Sequence, residues 1–224
     1  MWACMGGRKG VHRHHYDGRK KDVSVYVDGD SAHEENDIKK MLRQDGTGKN
    51  ANYASSFETF MRDLLEQSKI PFLYEKVSFM LTDKITKRQF KYTPDFITEL
   101  ETNGKTVIVE THGAKYFDER NLVKFSEFMK RYGARYHLIL VTDISPEKLE
   151  RKMQQCGISG PIASEIWHTN GLYGKSKEEG GKRVDLEAEY IAKMLDELKS
   201  RSRLFDTGES KEPPMLVVLR IRRR

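Results

Sequence analysis

The chain has 224 residues, enough to bury a sizeable core in one domain with terminal extensions. Its 37% hydrophobic and 33% charged content is polar for a globular protein, so part of the length is expected to be solvated arm or tail, and the net charge of +6 suits a polyanionic partner. No apolar run approaches the ~20 residues that a membrane helix needs. Cys4 and Cys156 stand far apart without a CxxC pattern, which argues against a disulfide framework or zinc ribbon and favours a reducing compartment. With no apolar secretory core at the N-terminus, a cytoplasmic location, bacterial or viral-host, and no membrane partner are expected.

Residues 1 to 21, with Arg8, Lys9, Arg13, Arg19, Lys20 and Lys21, lack apolar periodicity and read as a basic arm that either tracks phosphates or solubilises the chain. His12, His14 and His15 have no cysteine nearby and no helical spacing, which argues against a metal site. Val23, Val25 and Val27 alternate in a short predicted strand within Asp22 to Gly29. A predicted helix, Ser31 to Arg43, and a glycine and asparagine linker, Gln44 to Asn52, follow. In that linker Gly46-Thr47-Gly48-Lys49 misses the first glycine and the trailing hydroxyl of a phosphate loop.

From Ser55 to Gln67, Phe57, Phe60, Met61, Leu64 and Leu65 fall on one face of an amphipathic helix. Ser55 and Glu58 also spell a capping box, which by itself accounts for a glutamate in the first turn. Ile70 to Leu81 is predicted as one strand, with Pro71 confined to its start and Glu75 structural or edge-exposed. Thr82 to Arg88 reads as a polar turn, and Lys84, Lys87, Arg88 and Lys91 around it form a candidate phosphate-contacting lip or a solubilising surface.

The most informative stretch comes next. Tyr92 to Ile97 and Gly104 to Gly113 read as two strands joined by a turn at Asn103-Gly104. Val107, Ile108 and Val109 are the mark of a strand buried on both faces, yet the run ends in Glu110. A carboxylate there needs a partner. A divalent cation shared with Asp95 serves, because Mg²⁺ keeps several waters and binds through one or two carboxylates. Glu110 and His112 point to the same face of their strand, and Thr111 points away.

After Gly113, Leu122, Phe125, Met129 and Tyr132 make the core stripe of a helix stopped by Gly133 at its C′ position. Tyr136 to Thr142 is nearly all apolar and predicts a buried strand, on which His137 is a hydrogen-bonded core or edge residue. Ser145-Pro146-Glu147 opens another helix that ends at Gly157. Ile158 to Gly181 reads as irregular, Asp185 to Arg201 as a helix with Leu186, Tyr190, Met194, Leu195 and Leu198 on one side, and Met215 to Ile221 as a last strand. The expected class is α/β: a mixed central β-sheet flanked by helices. The expected division is a basic N-terminal arm and linker (1–50), a core (51–157) and a C-terminal extension (158–224).

Pro94-Asp95, a spacer, then Glu110-Thr111-His112 resembles the PD-(D/E)XK nuclease signature, with His112 where that pattern has its lysine. Ser55-Ser56-Phe57-Glu58 opening a helix and Pro71 to Glu75 entering a strand are similar to the way TnsA-like transposition endonucleases and small phage nucleases begin their core. The resemblance covers roughly residues 51 to 143 and implies a restriction-endonuclease-like core. It implies a Mg²⁺- or Mn²⁺-dependent endonuclease acting on DNA, of a phage or mobile element, with RNA as an alternative substrate. Asp95, Glu110, the Thr111 carbonyl and Glu58 are the implied metal ligands, and Glu58, Asp95, Glu110 and His112 the implied catalytic set. The lysine role falls to His112, to Lys115 or to Lys124, or else activity is lost. Lys87, Arg88, Lys91, Lys115 and Lys124 are the expected nucleic-acid contacts. A catalytically silent nucleic-acid-binding or assembly module is the competing reading, and the extension beyond Gly157 is the expected place for a protein partner or self-association.

Overall fold

The computed structural model describes residues 25–28, 32–45, 55–83, 86–172, 174–179 and 182–204. In chain order these form β1 (Val25–Val27), α1 (Ala32–Asp45), α2 (Ser56–Gln67), β2 (Phe72–Tyr74), β3 (Val77–Thr82), β4 (Gln89–Tyr92), β5 (Phe96–Thr102) and β6 (Lys105–Thr111). A 3₁₀ turn (Ala114–Tyr116) then leads into α3 (Glu119–Tyr132), β7 (Tyr136–Thr142), α4 (Pro146–Gln155), β8 (Glu165–His168), β9 (Ser176–Glu179), β10 (Lys182–Asp185), α5 (Leu186–Arg201) and β11 (Arg203–Leu204).

The main sheet is mixed. β5 and β6 are antiparallel, and β6, β7 and β8 run parallel to one another. β2 and β11 both pair with β5, along different parts of its length. The β5–β6 connection is the expected tight hairpin, in which Asn103 and Gly104 both take positive φ (52° and 72°) as a type I′ turn demands. The strands alternate as their sequences dictate. Ile97, Ile108, Leu138 and Leu140 face one core with Leu122 and Phe125 of α3, Leu149 of α4 and Ile38 and Leu42 of α1. Phe96, Val107, Val109, Ile139 and Val141 face the other with Met61 and Leu65 of α2 and Ile191, Leu195 and Leu198 of α5. β6 is therefore covered on both sides, as its run of β-branched residues requires.

Several elements depart from the sequence reading. The single strand expected over Ile70 to Leu81 is two. Glu75 takes a left-handed φ of 49°, which turns the chain out of the main sheet after β2 and into a second sheet ordered β1-β3-β4. The segment expected to be irregular, Ile158 to Gly181, contains β8 on the main sheet and β9 in an exposed ribbon with β10. The face of α5 that is buried comprises Glu187, Ile191, Leu195 and Leu198, while Leu186, Tyr190 and Met194 lie at its margin. Gly133 caps α3 in the right-handed region (φ −64°) instead of at a left-handed C′, and a Cβ there would sit 2.4 Å from the Met129 carbonyl oxygen, so close approach is what requires glycine. The basic arm, the linker and the strand expected over Met215 to Ile221 lie outside the described residues.

The second sheet is locked to α3 and β7 by aromatic rings. Phe79 of β3 packs against Phe128, Tyr132 and Tyr136 with ring centroids 5.0, 5.1 and 5.0 Å away. The Tyr132 hydroxyl donates to the carbonyl oxygens of Val27 (3.2 Å) and Met80 (3.0 Å), tying α3 to β1 and β3. Phe79→Ala is expected to cost about 3–5 kcal/mol in urea unfolding. A loss under about 1 kcal/mol would show that the rings do not hold the two sheets together.

Candidate active site

Strand register builds the site. Because Phe96 lies opposite Val109 in an antiparallel pair, Asp95, one residue before β5, falls beside Glu110, one residue before the end of β6. The Asp95 amide donates to Glu110 Oε2 (3.2 Å), so the backbone of one acidic residue holds the side chain of the other. Both carboxylates are buried, with 9% and 4% exposure. They lie at the carboxyl end of the parallel strands β6 and β7, the edge at which open α/β sheets place their ligands.

Three of the four carboxylate oxygens accept hydrogen bonds from described residues. Asp95 Oδ2 accepts from the Thr111 amide (2.8 Å) and the Thr111 hydroxyl (2.7 Å). Glu110 Oε2 also accepts from the Tyr92 hydroxyl (3.0 Å), and Glu110 Oε1 accepts from Lys124 Nζ (3.3 Å). Lys124 reaches this position from α3 across two rings, with Nζ 5.0 Å from the centroid of Tyr92 and 4.5 Å from that of Phe125. Asp95 Oδ1 accepts no hydrogen bond from a described residue.

Glu58 approaches from α2. Its amide donates to Ser55 Oγ (3.1 Å), the expected cap. Its carboxylate does not complete the box on the Ser55 amide, however; Oε1 accepts from the Ser55 hydroxyl (3.0 Å) and Oε2 from the Tyr74 hydroxyl. Burial, and then the negative charges of Glu110 and Glu58, push the Asp95 carboxyl well above the ordinary carboxylate range, against the two Thr111 hydrogen bonds that pull it down. Burial and the Glu110 and Asp95 charges likewise push the Tyr92 hydroxyl up, so it stays a donor.

His112 sits just past the end of β6, on the same side as Glu110. Its ring packs edge-on against Phe117 (5.1 Å) and Phe125 (5.9 Å), and its amide donates to the Val141 carbonyl (2.9 Å). Lys115 is exposed on the 3₁₀ turn. Lys87 and Arg88 are exposed in the turn before β4, where Lys87 is left-handed (φ 59°), and Lys91 is exposed on β4. Tyr92 and Tyr74, the donors to Glu110 and Glu58, were missed by sequence reasoning. Alternation on β4 offers the one usable signal, since it turns Tyr92 inward between the exposed Lys91 and the half-buried Thr93.

Among the described residues no group of three or more His, Cys, Asp and Glu side chains is placed to hold a metal ion by itself. The donor set still has the chemistry for a hard cation: hard oxygen ligands, one carboxylate oxygen without a hydrogen bond, and repulsion between buried acids that a cation would relieve. Mg²⁺ asks for no more than one or two carboxylates, taking the rest of its shell from waters and phosphate oxygens. A cleft of about 500 Å³ opens between α2, the loops after β6 and β7 and the start of α5, lined in part by Phe57, Phe60, Gly113, Asp143 and Glu187, and not by the two acids themselves. No described helix is long and apolar enough to cross a membrane. Comparison of the chain with family models, curated proteins and solved structures gives no significant match.

The raised Asp95 carboxyl makes two measurable demands. An acid that stays protonated longer when folded favours the native state at low pH, and that contribution is lost as pH rises above the ordinary value of about 3.9. Asp95→Asn, which keeps the acceptor for Thr111 and removes the charge, is expected to raise Tm at pH 8 by a few degrees, since about 1 kcal/mol moves Tm by about 2–4 °C at this size. The gain should shrink toward pH 4. A variant less stable than wild type at pH 8 would mean that the charge is already compensated.

Proposed function

We propose that the chain is a divalent-metal-dependent endonuclease of the PD-(D/E)XK kind, hydrolysing DNA phosphodiester bonds. The observation that carries the reading is the pair of buried carboxylates, Asp95 and Glu110, joined at adjacent strand ends with the Lys124 ammonium on the second. Mg²⁺ or Mn²⁺ would be held by Asp95 and Glu110, with the Thr111 carbonyl and Glu58 at its flank. Such an ion supplies charge neutralisation at a phosphoryl oxygen and lowers the pKa of a water.

The chain's own residues do the rest. Thr111 fixes Asp95 through its amide and hydroxyl, and Tyr92 fixes Glu110, so both carboxylates are aimed before substrate arrives. Lys124 takes the place of the motif lysine. It is a permanent cation beside Glu110, able to orient the attacking water and to steady a non-bridging oxygen as the P–O bond breaks. In this reading Lys124 is preferred to His112, whose half-buried ring lies edge-on to Phe117 and Phe125, for its contact with Glu110. The resemblance to transposition and phage nucleases favours DNA over RNA as substrate. The catalytically silent alternative draws on the same ion pair, since Lys124 already balances Glu110 as a structural bridge would.

Plasmid nicking decides between them. Supercoiled DNA is expected to be cut with Mg²⁺ or Mn²⁺ and to remain intact in EDTA. Asp95→Ala, Glu110→Ala and Lys124→Ala should each slow cutting by about 100-fold or more, the usual cost of losing one preorganised charge at such a site. His112→Ala should retain most of the rate. Wild-type speed in the Asp95→Ala protein would remove the reading, and a large loss in His112→Ala with none in Lys124→Ala would return the lysine role to the histidine. The same assay on RNA separates the ribonuclease alternative.

A further inference from the structure

Beside α3 runs a groove of about 820 Å³, bounded by the turn after β3, by β4 and by the first turns of α3. Arg88 and Lys91 stand on one wall and Arg120 and Lys124 on the other, facing Asp83 and Glu119 as the acidic residues of the lining. Asp83 accepts from the Thr86 amide (3.2 Å) and the Thr86 hydroxyl (2.8 Å), neutral donors that leave its charge in place, so four basic side chains share the lining with two acidic ones. Arg88 and Arg120 form no ion pair with a described residue, so neither guanidinium is neutralised there. The groove also has a direction, because Lys124 lines it and touches Glu110, joining it to the acidic site.

From the β4 wall Lys91 also reaches an aromatic ring on β1. Tyr26, half exposed, is the one large hydrophobic side chain with substantial exposure among the described residues. Lys91 Nζ lies 4.4 Å from its ring centroid and 3.4 Å from its hydroxyl. An exposed ring beside a line of cations is the arrangement with which proteins hold nucleic-acid strands, stacking a base on the ring while the cations follow the phosphates.

We propose that this groove grips the phosphodiester backbone of one nucleic-acid strand, with Arg88, Lys91, Arg120 and Lys124 as its phosphate contacts and Tyr26 as a base-stacking platform. The inference deepens the nuclease reading, on which it rests for why a strand should pass Lys124, but binding is measured without cleavage. The backbone can arrive as a free single strand or as one edge of a duplex.

The experiment is fluorescence anisotropy of the full chain with a labelled 20-nucleotide strand and with its duplex, in EDTA, over a series of NaCl concentrations. Arg88→Ala/Arg120→Ala is expected to weaken binding about fivefold or more, and to reduce the slope of log affinity against log salt by about 0.7 per lost contact on the single strand or about 0.9 on the duplex. Arg151→Ala/Lys193→Ala, exposed on α4 and α5, should leave the slope unchanged. The tighter of the two arms identifies which form supplies the backbone. Tyr26→Ala should weaken the single strand about fivefold or more and the duplex far less. Unchanged affinity and slope in the Arg88/Arg120 variant, or an equal fall in the α4/α5 variant, overturns the groove, and wild-type single-strand affinity in Tyr26→Ala overturns the platform. Parallel nicking assays keep the two readings apart. Groove-dependent binding without cleavage in Mg²⁺ or Mn²⁺ retires the nuclease and leaves the groove, whereas cleavage with unaltered binding in the groove variants does the reverse.

Discussion

Two acids are forced together at the end of a strand buried on both faces. Once β5 and β6 pair with Phe96 opposite Val109, Asp95 has nowhere to sit but beside Glu110, and no solvent is at hand to screen them. The surrounding residues answer that repulsion. Thr111 satisfies one oxygen of Asp95 twice over, Tyr92 stays protonated to donate to Glu110, and Lys124 brings a cation from the neighbouring helix. Burying charges without such partners costs several kcal/mol per ion, so these contacts are conditions for the fold before they are features of a site. Burial first, and then the charges of Glu110 and Glu58, still hold the Asp95 carboxyl above the ordinary carboxylate range.

Much of this was legible in the sequence. Asn103-Gly104 announced the hairpin, and the β-branched run before Glu110 announced a strand without a wet face, but counting back from the turn would set Asp95 opposite His112, and it is the register shift between Ile97 and Glu101 that brings it beside Glu110. Lys124 and Lys115 could not be ranked from the chain alone. Which lysine returns to the acids depends on how α3 packs on the sheets, and that packing includes the ring contacts of Phe79 with Phe128 and Tyr132. The partition of Ile70 to Leu81 was equally hidden, because Glu75 adopts a left-handed conformation that no propensity assigns to glutamate. His112 was placed on the right face by alternation, but the rings of Phe117 and Phe125 that surround it come from the next loop and helix.

The division of labour around β6 follows from the two-sided core. Helix α3 supplies the cation and one wall of the basic groove, while α2 on the opposite face supplies the third acid. The second sheet carries Tyr92 to Glu110 and holds α3 in place through Phe79, so that a substitution in β3 is felt at Lys124 without touching it. The loops after β6 and β7 border a separate cleft through Gly113 and Asp143.

Glu58 belongs both to the cap of a helix and to the electrostatics of Asp95. Its carboxylate is clasped by the Ser55 hydroxyl on one side and by Tyr74 on the other. Whatever draws those oxygens toward Asp95 must first let go of the serine, and the opening turn of α2 then loses a brace. The same side chain thus ties the first turn of that helix to the charge balance at Asp95.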